Sequence, residues 1–238
     1  MINKKSMTAA FTLIELLVVI TIIGILAGIA LPVFGQVQEK GQQTKSLASA
    51  KQIGLALKLY ATDNEGQFPN TAGNPAGAAT TPTASNSETA NSYFRNLFPT
   101  YCSAEKLFYT PKSAWCKTTA PDEVAGTTSN CLAAGENNYA YIRNLTDTSN
   151  AALPLVLDGL ADGNAAYSTD RTLKGGVWGG KKAVIIHVDD SGEVATCDTT
   201  DKIPKRKNST GNSVSILDTA DSTNWLGTTN TVAAPIAP

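Results

Sequence analysis

Glu15 is the only formal charge between Lys5 and Glu39, and it stands inside AAFTLIELLVVITIIGILAGIALPVFGQ, a stretch otherwise fit for hydrocarbon. An ionised carboxylate in such a segment costs about 2.5–3.5 kcal/mol on insertion scales, so it calls for a partner or a role. At a helix N-terminus near the membrane surface the macrodipole also favours an anion. The other reactive side chains are sparse. His187 is the single histidine, with no G-x-S-x-G or paired-cysteine motif beside it, and at a strand end it reads as structural. Gly175 to Lys181 (GGVWGGK) satisfies G-x-x-x-x-G-K, but Lys182 stands where magnesium binding needs Ser or Thr, and a strand-like AVIIHV follows in place of a helix. That segment reads as a glycine-rich approach to a hairpin.

Asp158, Asp162, Asp170, Asp189 and Asp190 raise the question of calcium, yet no segment fits the twelve-residue loop D-x-[DN]-x-[DN]-G, and turn chemistry accounts for the Asp-Gly pairs. No metal or other cofactor is expected, and no residue is assigned to calcium. Cys102, Cys116, Cys131 and Cys197 all follow the apolar segment and form no C-x-x-C. An even count beyond a membrane segment points to two disulfides in an oxidising compartment, with three connectivities open.

Composition bounds the elements that must carry these groups. With 19 basic against 20 acidic residues, the chain has no field to gather nucleic acid, and the short basic cluster KIPKRK (202 to 207), broken by Pro204, reads as a solvated loop. The 238 residues, 42% of them hydrophobic, suffice for one large domain with attachments.

Phe11 to Phe34 is long enough to cross roughly 30 Å of hydrocarbon as a helix. A secretory signal fits in part, since Lys4 and Lys5 precede the run and Gly28-Ile29-Ala30 offers small residues for a cut. Helical character continues past Phe34, however. Leu47, Ala50, Ile53, Leu57 and Tyr60 recur at steps of three and four, and Asp63-Asn64-Glu65-Gly66 with Pro69 supplies a stop. One helix of about 80 Å is expected, half apolar and half amphipathic. Lysines flank both sides of the span, so orientation follows from the cysteines, which put the C-terminal part outside. Pro32 lacks an N–H and is expected to bend the helix. Gly24, Ala27 and Gly28 suit either close helix packing or an ordinary membrane helix.

Beyond the helix, residues 71 to 91 and the tail 228 to 238 are poor in core-forming side chains and read as flexible, the former with Ser and Thr open to glycosylation. Ala183 to Val188, a turn over Asp189 to Gly192, and Glu193 to Cys197 read as a β-hairpin, and NYAY (138 to 141) and LVLDG (155 to 159) as further strands.

Ala10 to Phe34 resembles the N-terminus of type IV prepilins and type II secretion pseudopilins, with Thr12-Leu13-Ile14-Glu15-Leu16 matching FTLIEL after Phe11, and with Gly24 and Pro32 where many members carry Gly and Pro. The resemblance implies a basic leader, residues 1 to 10, cut by prepilin peptidase between Ala10 and Phe11, and N-methylation of Phe11. The family usually carries Gly before the cut. Ala10 is the smallest step from it, and cleavage is expected to survive. Glu15 would pair with the Phe11 ammonium of a neighbouring subunit and so set register. The order of the last strands is similar to that of large planctomycete and verrucomicrobial pilin-like proteins, although Gly180 stands where their hallmark histidine would be.

The expected fold is therefore α+β and pilin-like: a long N-terminal helix, 11 to 34 in membrane or filament core and 35 to 66 amphipathic, packed on a head, 67 to 238, with an antiparallel sheet. The expected role is that of a pilus or pseudopilus subunit and not an enzyme. It would sit as a single inner-membrane span with a periplasmic head, and after assembly in a surface pilus or periplasmic pseudopilus. The expected partners are copies of itself, related pilins, prepilin peptidase and the inner-membrane assembly platform. The alternative is a periplasmic binding protein or enzyme on an uncleaved signal anchor.

Overall fold

The computed structural model describes residues 11–70, 89–123, 131–161, 166–219, 225–226 and 230–238. The leader and residues 71–88 of the loop read as flexible lie outside them. The chain divides into two compact units, 1–43 and 44–238. One helix, α1 (Leu13–Asp63), belongs to both.

In the first unit α1 leaves its apolar side chains in the open. Apart from Leu55, Leu59 and Leu173, every large exposed apolar residue among those described lies within residues 11–37. In the second unit the same helix buries one face, formed by Ser46, Ala50, Ile53, Gly54, Leu57 and Ala61, with Leu47 and Tyr60 half-buried at its margins. Steps of three and four residues put these positions on one stripe. The helix stops as its residues require: Glu65 and Gly66 take left-handed backbone (φ 55° and 78°), and the Gly66 N–H closes on the Ala61 carbonyl at 2.8 Å.

The sheet has five antiparallel strands in the order β4-β3-β2-β1-β7: β1 (Tyr139–Ile142), β2 (Pro154–Asp158), β3 (Lys182–His187), β4 (Gly192–Thr196) and β7 (Val232–Ala233). Strands β5 (Lys205–Lys207) and β6 (Ser213–Ser215) make a separate two-stranded ribbon. β1 and β2 are buried at every position, so both faces of the sheet centre are covered. α1 is tied to the sheet by the Tyr139 hydroxyl, which lies 2.8 Å from Ser46 Oγ and donates to the Ser46 carbonyl. A short helix, α2 (Ala90–Phe94), brings Phe94 against Phe108 and Tyr141, with ring centroids 5.1 and 5.5 Å apart.

The expected hairpin is present as β3 and β4, with Ala183 opposite Ala195 and Ile185 opposite Glu193. The described ends of the two segments read as flexible pack against the head. Ala90 and Asn91 are buried, and the Ala90 N–H donates to the Ala234 carbonyl at 2.8 Å. The tail residues 230–238 supply β7, which pairs with β1 through Tyr141 opposite Ala233. Side-chain hydrophobicity is a poor guide at both places because a sheet edge recruits backbone N–H and C=O groups, which every such residue except proline carries in full.

Candidate functional site

Thr12 precedes the first helical residue, and its hydroxyl oxygen accepts the Glu15 N–H at 3.3 Å. Glu15 Oε2 in turn accepts the Thr12 N–H at 2.9 Å and the Thr12 hydroxyl at 2.7 Å. This is a reciprocal capping box, in which two N–H groups at the start of the helix find side-chain acceptors. The carboxylate of the apolar segment is thus held by its own helix end. The signal for it, Thr-x-x-Glu before an apolar run, stands in the sequence but is absent from the reading above, where the apolar run itself drew the argument.

Farther along, the Thr21 hydroxyl bonds back to the Leu17 and Val18 carbonyls, so this polar side chain brings no open donor into the stripe. A Cβ built at Gly24 or Gly28 meets nothing within 4 Å. Among the described residues no contact demands glycine at either place. Leu13 is 80% exposed and Leu31 74%. Water does not tolerate such a continuous apolar surface, which marks a membrane or protein contact. Among the described residues no single helix is long and apolar enough to cross a membrane, whereas Leu13–Ile29 and Phe34–Asp63, bent by 46° at the break between them, pass together by length and composition. The side chain of Pro32, within that break, lies outside the described residues.

Residues 5–31 match the family described as the prokaryotic N-terminal methylation motif. Over 91 residues the chain is 35% identical to the type IV major fimbrial protein FimA of Dichelobacter nodosus, covering 37% of this chain and 57% of that one. Over 68 residues it is 37% identical to the type II secretion system core protein G of Aeromonas hydrophila, covering 29% and 47%. The N-terminal part of the chain is thus similar to type IV pilins and type II secretion pseudopilins. It spans about half the length of these curated relatives. No solved structure matches it.

In the head the side chains that stand out in the sequence are dispersed. Cys102, Cys116, Cys131 and Cys197, read from the sequence as two bridges, are all buried, and no disulfide is drawn between any two of them. Here the thiols serve as core side chains. Cys102 Sγ lies 3.7 Å from the Ala104 carbonyl. Burial pushes Cys116 up to about 11 and Cys197 up to about 12, so both stay protonated and unreactive at neutral pH.

His187 packs at the end of β3, its Nδ1 2.9 Å from the Ala152 carbonyl and its Nε2 3.6 Å from Glu193. Residues 175–181 form turns that lead into β3, with no helix for a phosphate to cap. The aspartates that raise the question of calcium do other work. Asp170 and Asp189 cap their own turns at Thr172 and Ser191, Asp190 faces α1 at Gly54, and Asp162 lies outside the described residues. Asp158 is fully buried and accepts from Asn138 Nδ2 (2.8 Å), Trp178 Nε1 (2.7 Å) and the Val184 N–H (2.7 Å). Burial nevertheless pushes its carboxyl up to about 6, against the pull of those three donors.

Proposed function

We propose that the chain is a structural subunit of a type IV pilus or type II secretion pseudopilus. Prepilin peptidase removes residues 1–10 by cutting between Ala10 and Phe11, the new Phe11 amine is methylated, and the subunit waits as a single inner-membrane span with its head in the periplasm. The observation that carries this reading is the pairing of an open apolar helix face, residues 11–37, with one carboxylate held at its tip by Thr12. On the assembly platform that face exchanges lipid for the helices of other copies and related pilins. Glu15 exchanges the neutral Thr12 donors for the ammonium of a neighbour's Phe11, a charge-assisted bond roughly twice as strong as a neutral one. In hydrocarbon an unpaired carboxylate is costly, so the subunit in correct register is favoured over one displaced along the filament. Pro32 softens the helix so that its two halves follow different neighbours. Supporting the reading is the likeness to a major fimbrial protein and a secretion-system core protein over the matched residues.

Mass spectrometry of the protein from its native host tests this directly. N-methyl-Phe11 is the expected terminus. A chain starting at Met1 or at Leu31 would instead mark a signal anchor or a secreted protein and overturn the proposal.

A further inference from the structure

The head carries a cavity of about 740 Å³ whose wall comes from stretches far apart in the chain, around Ala114, Ala161, residues 166 to 174, and Lys202. Hydrogen bonds sew these stretches together. The Tyr167 N–H donates to the Lys202 carbonyl at 2.9 Å, the Ser168 N–H to the Gly175 carbonyl at 3.1 Å, and the Trp115 indole N–H to the Leu160 carbonyl at 3.0 Å. Gly175, in left-handed backbone (φ 74°), lies so close to Ala161 that a Cβ on it would stand 2.5 Å from the Ala161 N atom. The glycine-rich run that mimics a phosphate loop in the sequence thus helps to close this wall. A wall tied at so many points is formed before any ligand arrives, which removes much of the ordering cost of binding.

The lining mixes two chemistries. Ala114, Ala161, Ala166 and the exposed Leu173 offer apolar surface. Ser168, Thr169 and Thr172 add hydroxyls, and the half-buried Lys174 and Lys202 add ammonium groups. Ser168 Oγ accepts the Asp170 N–H at 3.1 Å, which leaves its own proton to donate, whereas the Thr172 hydroxyl donates to Asp170 Oδ1 at 2.7 Å, which leaves its lone pairs to accept. Lys174 Nζ rests 4.6 Å from the centre of the Trp115 ring, and Lys202 Nζ donates to the Thr199 carbonyl. Among the described residues of the lining every formal charge is positive.

We propose that this cavity binds a sugar acid, a hexuronate within a short oligosaccharide. Cavities of roughly 300–1,000 Å³ hold small ligands, and apolar lining with a few placed polar groups is their usual make-up. A pyranose ring presents an apolar C–H face that suits the alanines and Leu173. Its hydroxyls both donate and accept, as the Thr172 and Ser168 hydroxyls require. Its carboxylate answers the two lysines, whereas a neutral sugar gains nothing from the positive charge of the lining. Phosphate is served less well: ammonium groups lack the bidentate guanidinium fork, and the N–H groups of Tyr167 and Ser168 are spent on carbonyls. The site lies wholly in the head and does not rest on the filament reading.

Equilibrium dialysis of the full chain in a non-ionic detergent against digalacturonate, lactose and inorganic phosphate tests this. Digalacturonate is retained saturably with a Kd of about 0.1–1 mM, the range that a few part-solvated charge and hydroxyl contacts support. Lactose, a neutral disaccharide, and phosphate each bind at least about tenfold more weakly. Ala114→Leu fills the cavity and abolishes retention. Lys202→Gln removes one charge and raises the Kd about tenfold. Because Lys202 stands at the surface, that variant folds as the parent does and decides the point even if Ala114→Leu melts early. No retention at about 10 mM digalacturonate, equal binding of lactose, or tighter binding of phosphate would overturn the proposal. An unchanged Kd in Lys202→Gln would overturn it equally.

Discussion

Asp158 has three N–H donors aimed at a carboxylate in the middle of the core, and the donors favour the ionised form while burial disfavours it. Burial prevails, since the folded-state value is about 6 against an ordinary 3.8. A proton held more tightly in the folded than in the unfolded chain gives stability that is full below the unfolded value and is lost as pH rises through about 6. Over that window the loss is roughly 3 kcal/mol. The amide that replaces the carboxyl in Asp158→Asn has no such titration. In urea unfolding, the stability of Asp158→Asn relative to the parent should therefore move in the variant's favour by up to about 3 kcal/mol between pH 4 and pH 7, and a gap that ignores pH would contradict a buried titrating group. At this scale the sequence is unevenly legible. Glu15 stands out because its surroundings are contiguous in the chain. Asp158 looks like turn chemistry, and Glu105 and Glu136 draw no notice, because residues distant in sequence bury them.

At the scale of elements, periodicity reads well wherever one face alone is buried. The α1 stripe and the β3–β4 hairpin come from patterns of side chains, and the fold pairs them as those patterns require. What the patterns do not carry is how closely two elements approach. A Cβ at Gly54 would stand 2.4 Å from Asp190 Oδ1 and 2.8 Å from Ile186 Cγ2, whereas one at Gly41 meets nothing. The β3–β4 turn lies directly on α1 at Gly54, with Asp190 in left-handed backbone (φ 66°). Gly41→Ala should stabilise by about 0.5–1 kcal/mol through helix propensity. Gly54→Ala gains the same propensity and loses more to overpacking, typically about 1–3 kcal/mol, so it should lower Tm. Two thermal melts decide the point, and variants that shift together would refute the close approach. Strand β7 is illegible because Val232 and Ala233 join the sheet through backbone groups, which carry no sequence pattern.

At the scale of the whole molecule, the apolar half of α1 and the head make separate demands. Glu15→Ala removes the carboxylate and leaves the head untouched. Cleavage and methylation should continue largely as before while filaments seen by electron microscopy become scarce, and normal filament numbers would remove Glu15 from its register role. The long helix, the position of the lone acid in its apolar half, its stop at Gly66 and the β3–β4 hairpin follow from the order of residues alone, because local periodicity and turn chemistry depend on neighbours in the chain. Three-dimensional packing was needed to bury the thiols, to close the sheet edge with the tail and to bring Glu105, Glu136 and Asp122 together. Those outcomes depend on which distant backbones lie side by side, and a linear pattern of side chains does not encode that distance.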